Sequence, residues 1–109
     1  MISIFVDEAY AYDYLSILSV KGNAWEYHDK IYDMIASQVG DELHKEIIAS
    51  KEYENLMQAN ENTFQAVEFA RNGEISAREV DKRNMERYTC KVALQNKFFP
   101  NNKILETKT

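Results

Sequence analysis

The stretch Val80-Asp81-Lys82-Arg83-Asn84-Met85-Glu86-Arg87-Tyr88-Thr89-Cys90-Lys91-Val92-Ala93-Leu94-Gln95-Asn96-Lys97-Phe98-Phe99 decides how the rest of the chain is read. It holds no glycine or proline, and at about 100° per residue it winds as a helix. On that winding Val80, Leu94 and Phe98 share one narrow arc, and Asn84, Arg87 and Lys91 fall on it too. An apolar arc carrying an amide and two cations must bring them to partners, because a buried charge left alone is costly. The limits of this helix are written beside it. Ser76 and Glu79 have capping-box spacing, Ile75 and Val80 have the spacing of a hydrophobic staple, and Pro100 follows Phe99 where a helix must stop.

The rest of the chain is punctuated in the same way. Three glycines and one proline in 109 residues are too few for the turns of an all-β domain. Each glycine sits where a helix should close. Asp7 caps a first helix that runs to Lys21, with Gly22 just beyond it. Asn23 and Glu26 form a capping box for a second helix, which Gly40 closes. Asp41 caps a third segment, with Gly73 past its end. Within that segment Tyr53, Leu56, Met57, Asn60, Phe64 and Val67 share a face, and Leu43, Ile47 and Ile48 slip out of phase with it. The segment therefore bends near Ser50 or is two helices. Phe69 points away from the shared face.

The expected fold is all-α, with four to five helices and a long C-terminal antiparallel helical hairpin. The first helix is apolar nearly all round (Tyr10, Tyr14, Leu15, Ile17, Leu18, Val20) and belongs at the centre. Residues 1–109 form one helical domain, with 1–6 an extended lead-in and 101–109 a frayed tail. A hairpin of that length outruns what a chain of this size can cover, which points to a homodimer.

A net charge of −5 argues against nucleic acid or an anionic membrane surface as a partner. No apolar run approaches the roughly 20 residues of a membrane span. The start has no basic region before its apolar residues, so it does not read as a signal peptide, and the cytoplasm is the default. The single cysteine, Cys90, cannot form an internal disulfide and winds onto the polar side of its helix. His28 reads as lining the apolar side of the second helix, and His44 as a surface residue. No nucleophile–base pair, phosphate-binding glycine loop or cysteine cluster is present, so no catalytic residue, metal ligand or cofactor is assigned.

The candidate site follows from the polar residues on apolar faces. Asp13 lies among Ala9, Tyr10, Ile17 and Val20. Asn60 sits at the centre of its face, with Glu68 at the edge of the same face. Asn84, Arg87 and Lys91 complete the set. One central acid against two central bases is a local positive surplus within an acidic chain. In one account Glu68 or Glu46 balances it, and the polar groups set helix register. In the other the surplus holds an anion such as a phosphate, a carboxylate or a sugar phosphate, with Arg87 as a planar fork and Lys91 as a point charge.

These residues carry a resemblance. Asp13-Tyr-Leu-Ser16-Ile17-Leu18-Ser-Val20-Lys21 resembles the opening motif, Asp-x-x-Thr-Ile-Leu-x-Ile-Lys, of a small uncharacterised bacterial protein family. Asn60-Glu61-x-x-Phe64-x-x-x-Glu68 is similar to its middle motif, Asn-Glu-x-x-Trp-x-x-x-Asp, and Asn84-x-x-Arg87-x-x-x-Lys91 to its last, Asn-x-x-Arg-x-x-x-Lys. Phe64 stands for a Trp, Glu68 for an Asp, and Ala9-Tyr10 for a Gly-Glu pair. The family is often encoded among genes for lipopolysaccharide and other surface-glycan synthesis, so the resemblance implies an accessory protein of that setting without implying a mechanism. Two alternatives stand beside it. One is a divalent-metal nucleotide pyrophosphohydrolase of the MazG kind, for which Asp41-Glu42-x-x-x-Glu46 and Glu26-x-x-Asp29 are the nearest acidic clusters, the first with the wrong spacing. The other is a helical interaction scaffold with a structural polar core.

Overall fold

Short-range hydrogen bonds set where the helices begin. Asp7 is extended, and its carboxylate accepts the Tyr10 N–H at 2.6 Å, opening α1 (Glu8–Lys21). That helix ends on Gly22 at φ 71°, a left-handed conformation that glycine adopts without strain. α2 (Trp25–Val39) follows, and Gly40 at φ 105° leads directly into α3 (Asp41–Ile48). Gly40, not Asp41, is therefore the cap, and Asp41 and Glu42 occupy the first turn, where carboxylates suit the helix dipole. The phase slip near Ser50 is a true break. Ser50 is extended, its hydroxyl accepts the Tyr53 N–H at 3.1 Å, and α4 (Lys51–Arg71) starts there as a separate helix. α5 (Ala77–Phe98) completes the series.

The structure is a computed structural model describing residues 6–22, 25–73 and 76–102. Most of the expected lead-in, Asn23 of the second capping box, Ile75 of the staple and most of the frayed tail lie outside those residues. Among the described residues there is no strand, and no helix is long and apolar enough to cross a membrane. The capping box at α5 is only half present. Ser76 has the extended backbone of a cap, but its side chain accepts no capping bond. Glu79, the expected partner, is drawn instead to Arg83 one turn on, at 3.1 Å.

α4 and α5 pack antiparallel as the C-terminal hairpin. Lys97 Nζ donates to Glu52 at 2.8 Å near one end, and the Thr63 hydroxyl donates to the Arg83 carbonyl at 3.4 Å further along. The Lys97 bond also draws the Glu52 carboxyl below its ordinary range. α1 lies against α2, α4 and α5, as a central helix should, but it is not buried all round: Tyr10 and Tyr14 are exposed. The core is built from Tyr12 and Leu15 of α1, Ile35, Ile47, Tyr53 and Leu56, and Leu94 of α5. Cys90 departs from its expected polar placement. It is half-buried against this core, and burial raises its thiol pKa.

The caps differ in a way that denaturation can read. Ser50→Ala removes a bonded cap and should lower the urea-unfolding free energy by about 1 kcal/mol. Ser76→Ala removes an unbonded one and should stay within about 0.5 kcal/mol of the parent.

Candidate functional site

Where α1, α4 and α5 meet, Asp13 is buried one residue beyond Tyr12, too far round α1 to join the aromatic core. Asn60, fully buried on α4, donates from Nδ2 to Asp13 Oδ1 at 2.9 Å and to the Ser16 hydroxyl at 2.7 Å. Ser16 in turn donates to the Asp13 carbonyl at 2.7 Å. On the other side of the carboxylate, Oδ2 faces Arg87 Nη1 and Lys91 Nζ of α5, each at 3.8 Å. Lys91 is 1% exposed and lies 5.9 Å from the centre of the Tyr10 ring. Burial lowers the Lys91 pKa, and the charges of Asp13 and of the buried Asp7 work against that shift.

Arg87 differs from Lys91 in exposure. A quarter of its side chain reaches solvent, and its buried Nε has no hydrogen-bond partner among the described residues. A separation of 3.8 Å is beyond direct hydrogen-bond range, so the two cations hold Asp13 by charge more than by directed bonds. The site thus gathers the Asp13 carboxylate and two cations, and the buried Asp7 carboxylate also acts on Lys91.

Asp13, Asn60, Arg87 and Lys91 are brought together as the sequence suggests, but Asn84 and Glu68 are not. Asn84 is exposed. It winds onto the arc of Lys91, yet the bonds from α1 to α5 run from Gln95 to Arg87, and Asn84 lies beyond them. Glu68 is exposed two turns past Asn60, 3.9 Å from Arg71 on its own helix, and does not neutralise the cluster. Glu46 is exposed as well.

Two further groups escape the sequence reading. Gln95 is fully buried, and its Oε1 accepts the Ala9 N–H at 2.8 Å, which satisfies an otherwise orphaned donor in the first turn of α1. Its position on the arc of Lys91 was the available signal. His44, expected at the surface, is 1% exposed. The Tyr12 hydroxyl hydrogen-bonds its Nδ1 at 2.8 Å, and Tyr32 meets it edge-on with ring centres 4.4 Å apart. Its Nε2 has no hydrogen-bond partner among the described residues. Burial lowers the imidazole pKa, against a smaller opposite pull from Asp41 and Asp33, and burial raises the Tyr12 phenol. On a two-turn helix no arc is long enough to reveal such a residue.

The acidic clusters stay apart. Glu26, Asp29, Glu42 and Glu46 are exposed, and among the described residues no three His, Cys, Asp or Glu side chains gather as metal ligands would. Two clefts open elsewhere. One of about 550 Å³ lies between α4 and α5 beside Phe69, and one of about 530 Å³ lies beside Trp25 and Tyr32; neither is lined by Asp13, Arg87 or Lys91. No family model, curated protein or solved structure matches the chain.

The two buried networks respond to different perturbations. Asp13→Ala leaves Lys91 buried without its carboxylate and should cost about 3–5 kcal/mol in urea unfolding. Lys91→Met should cost less, because Arg87 still faces Asp13. His44 is held neutral in the fold, so below the ordinary imidazole value of 6.5 the unfolded chain binds the extra proton. Its contribution to stability is complete above that pH and falls as pH drops toward the lower folded-state value. His44→Gln should flatten that part of a stability–pH curve.

Proposed function

We propose that the chain is a non-enzymatic binding or accessory protein that holds an anionic group, such as a sugar phosphate, at the junction of α1, α4 and α5. In this reading it is a cytoplasmic homodimer serving surface-glycan synthesis. The setting is supported by the three motif-like runs around Asp13, Asn60 and Arg87, and the dimer by exposed apolar side chains such as Phe69 and Met85. The single observation that carries the anion is Arg87. It spans from the buried Asp13 carboxylate to solvent, with a quarter of its side chain exposed. A guanidinium has five N–H donors, and a phosphate or carboxylate arriving from solvent can accept from those that reach it. Asn60 orients Asp13, and Lys91 adds charge from below.

A structural polar core is the second reading, favoured by the Asn60–Asp13–Ser16 bonds, which tie α1 to α4 without any ligand. Thermal shift with inorganic phosphate, glucose 1-phosphate and UDP-glucose separates the two. At tenfold excess over Kd a ligand adds about 1.4 kcal/mol, which should raise Tm by roughly 5 °C or more. Arg87→Met should fold and lose the shift, and sedimentation of the same samples should give twice the monomer mass of 12.7 kDa. Absence of stabilisation by every anion, together with a large intrinsic loss of stability in Arg87→Met, would assign the cluster to structure alone.

A further inference from the structure

The cleft beside α2 is built from different chemistry. It has a volume of about 530 Å³, within the range of small-molecule sites, and lies between α2, the end of α1 and the α3–α4 junction. Trp25, His28 and Tyr32 line it from α2, at positions three and four apart that share one helix face. Tyr53 and Met57 line it from α4, and Glu54 stands between them in sequence. Trp25 is 57% exposed, which an indole with no ligand or partner to cover does not favour.

The rings meet the cleft from more than one direction. Trp25 stands at 72° to His28 with centres 5.3 Å apart, and His28 lies at 34° to Tyr32 with centres 6.0 Å apart. Aromatic faces carry negative potential and attract cations. The lining includes one carboxylate, Glu54, and no lysine or arginine. An anion therefore finds no lysine or arginine there and is repelled by Glu54. A neutral apolar molecule satisfies the rings and Met57 but gains nothing from Glu54. The neighbouring Lys51 reaches Glu54 at 3.7 Å, but both side chains are largely exposed, and such a pair is weak enough for a ligand to compete with.

We infer that this cleft is a second binding site, independent of the Asp13 cluster, for a small organic ammonium cation. Its methyl or methylene groups lie against Trp25, Tyr32 and Met57, and its charge faces Glu54. A methylated ammonium suits these walls better than a primary one, since it is weakly hydrated and presents apolar surface on all sides.

Trp25 is the only tryptophan in the chain, so intrinsic fluorescence reports on this cleft. The full chain is titrated at constant ionic strength with choline and with its neutral isostere, 3,3-dimethyl-1-butanol. A saturable change in Trp25 emission is expected with choline, with the neutral compound about tenfold weaker. Glu54→Gln, at an exposed position that leaves the fold intact, should weaken choline several-fold, and Glu61→Gln, elsewhere on α4, should not. Equal responses to the two compounds, an unsaturable response, no response to choline, or indifference to Glu54→Gln would each overturn the assignment. None of these outcomes bears on anion binding at Arg87, which uses different residues.

Discussion

The arrangement of α1, α4 and α5 depends on a carboxylate taken out of water. Asp13 loses its hydration on folding, and that loss is offset only if its oxygens find replacements in fixed positions. Asn60 supplies a directed bond to one oxygen, and Lys91 and Arg87 supply charge to the other. Apolar contacts alone would tolerate a helix sliding by part of a turn, since burial is nearly indifferent to direction. A buried polar network is not indifferent, because a small slip leaves several groups unsatisfied together. The register of three helices is thus set by four side chains and reinforced by Ser16 and Gln95.

α1 has two characters because successive residues point about 100° apart. Tyr12 enters an aromatic group with His44 and Tyr53, and Asp13 enters the charged one. Both are buried, and neither group borrows a member from the other. The same helix is held at its start by residues from the far end of the chain. Gln95 accepts from Ala9, and Asn102 donates to Glu8 at 2.7 Å, so the start of α1 is tied to the end of α5.

What the sequence revealed and what it hid divide along the range of the forces involved. The Asp7 cap, the glycines after α1 and α2, the break at Ser50 and the stop at Pro100 are decided within a few residues, and they were legible. Asp13, Asn60 and Lys91 were legible for another reason: a polar residue central to an apolar arc has few places to go. Asn84 and Glu68 were misplaced because a helical wheel shows direction but not where along the arc a neighbouring helix supplies a partner, and both are exposed. The Ser76 and Glu79 spacing was right, but spacing cannot show that Arg83 competes for the carboxylate. His44 was hidden because α3 is too short for an arc to show, and Gln95, though on the arc of Lys91, because its partner is a backbone N–H that no side-chain pattern marks.

α2 enters this structure on different terms from its neighbours. It has 15 residues, of which Ile35 is buried and Ile31, Tyr32 and Val39 are partly buried against the core, and it takes no part in the bonds around Asp13. Lifting it away should therefore require less free energy than global unfolding. Backbone protons of α2 will exchange with solvent through an opening that leaves the α1–α4–α5 junction closed. Because α2 carries Trp25 and Tyr32, such an opening would also part the walls of the cleft they line.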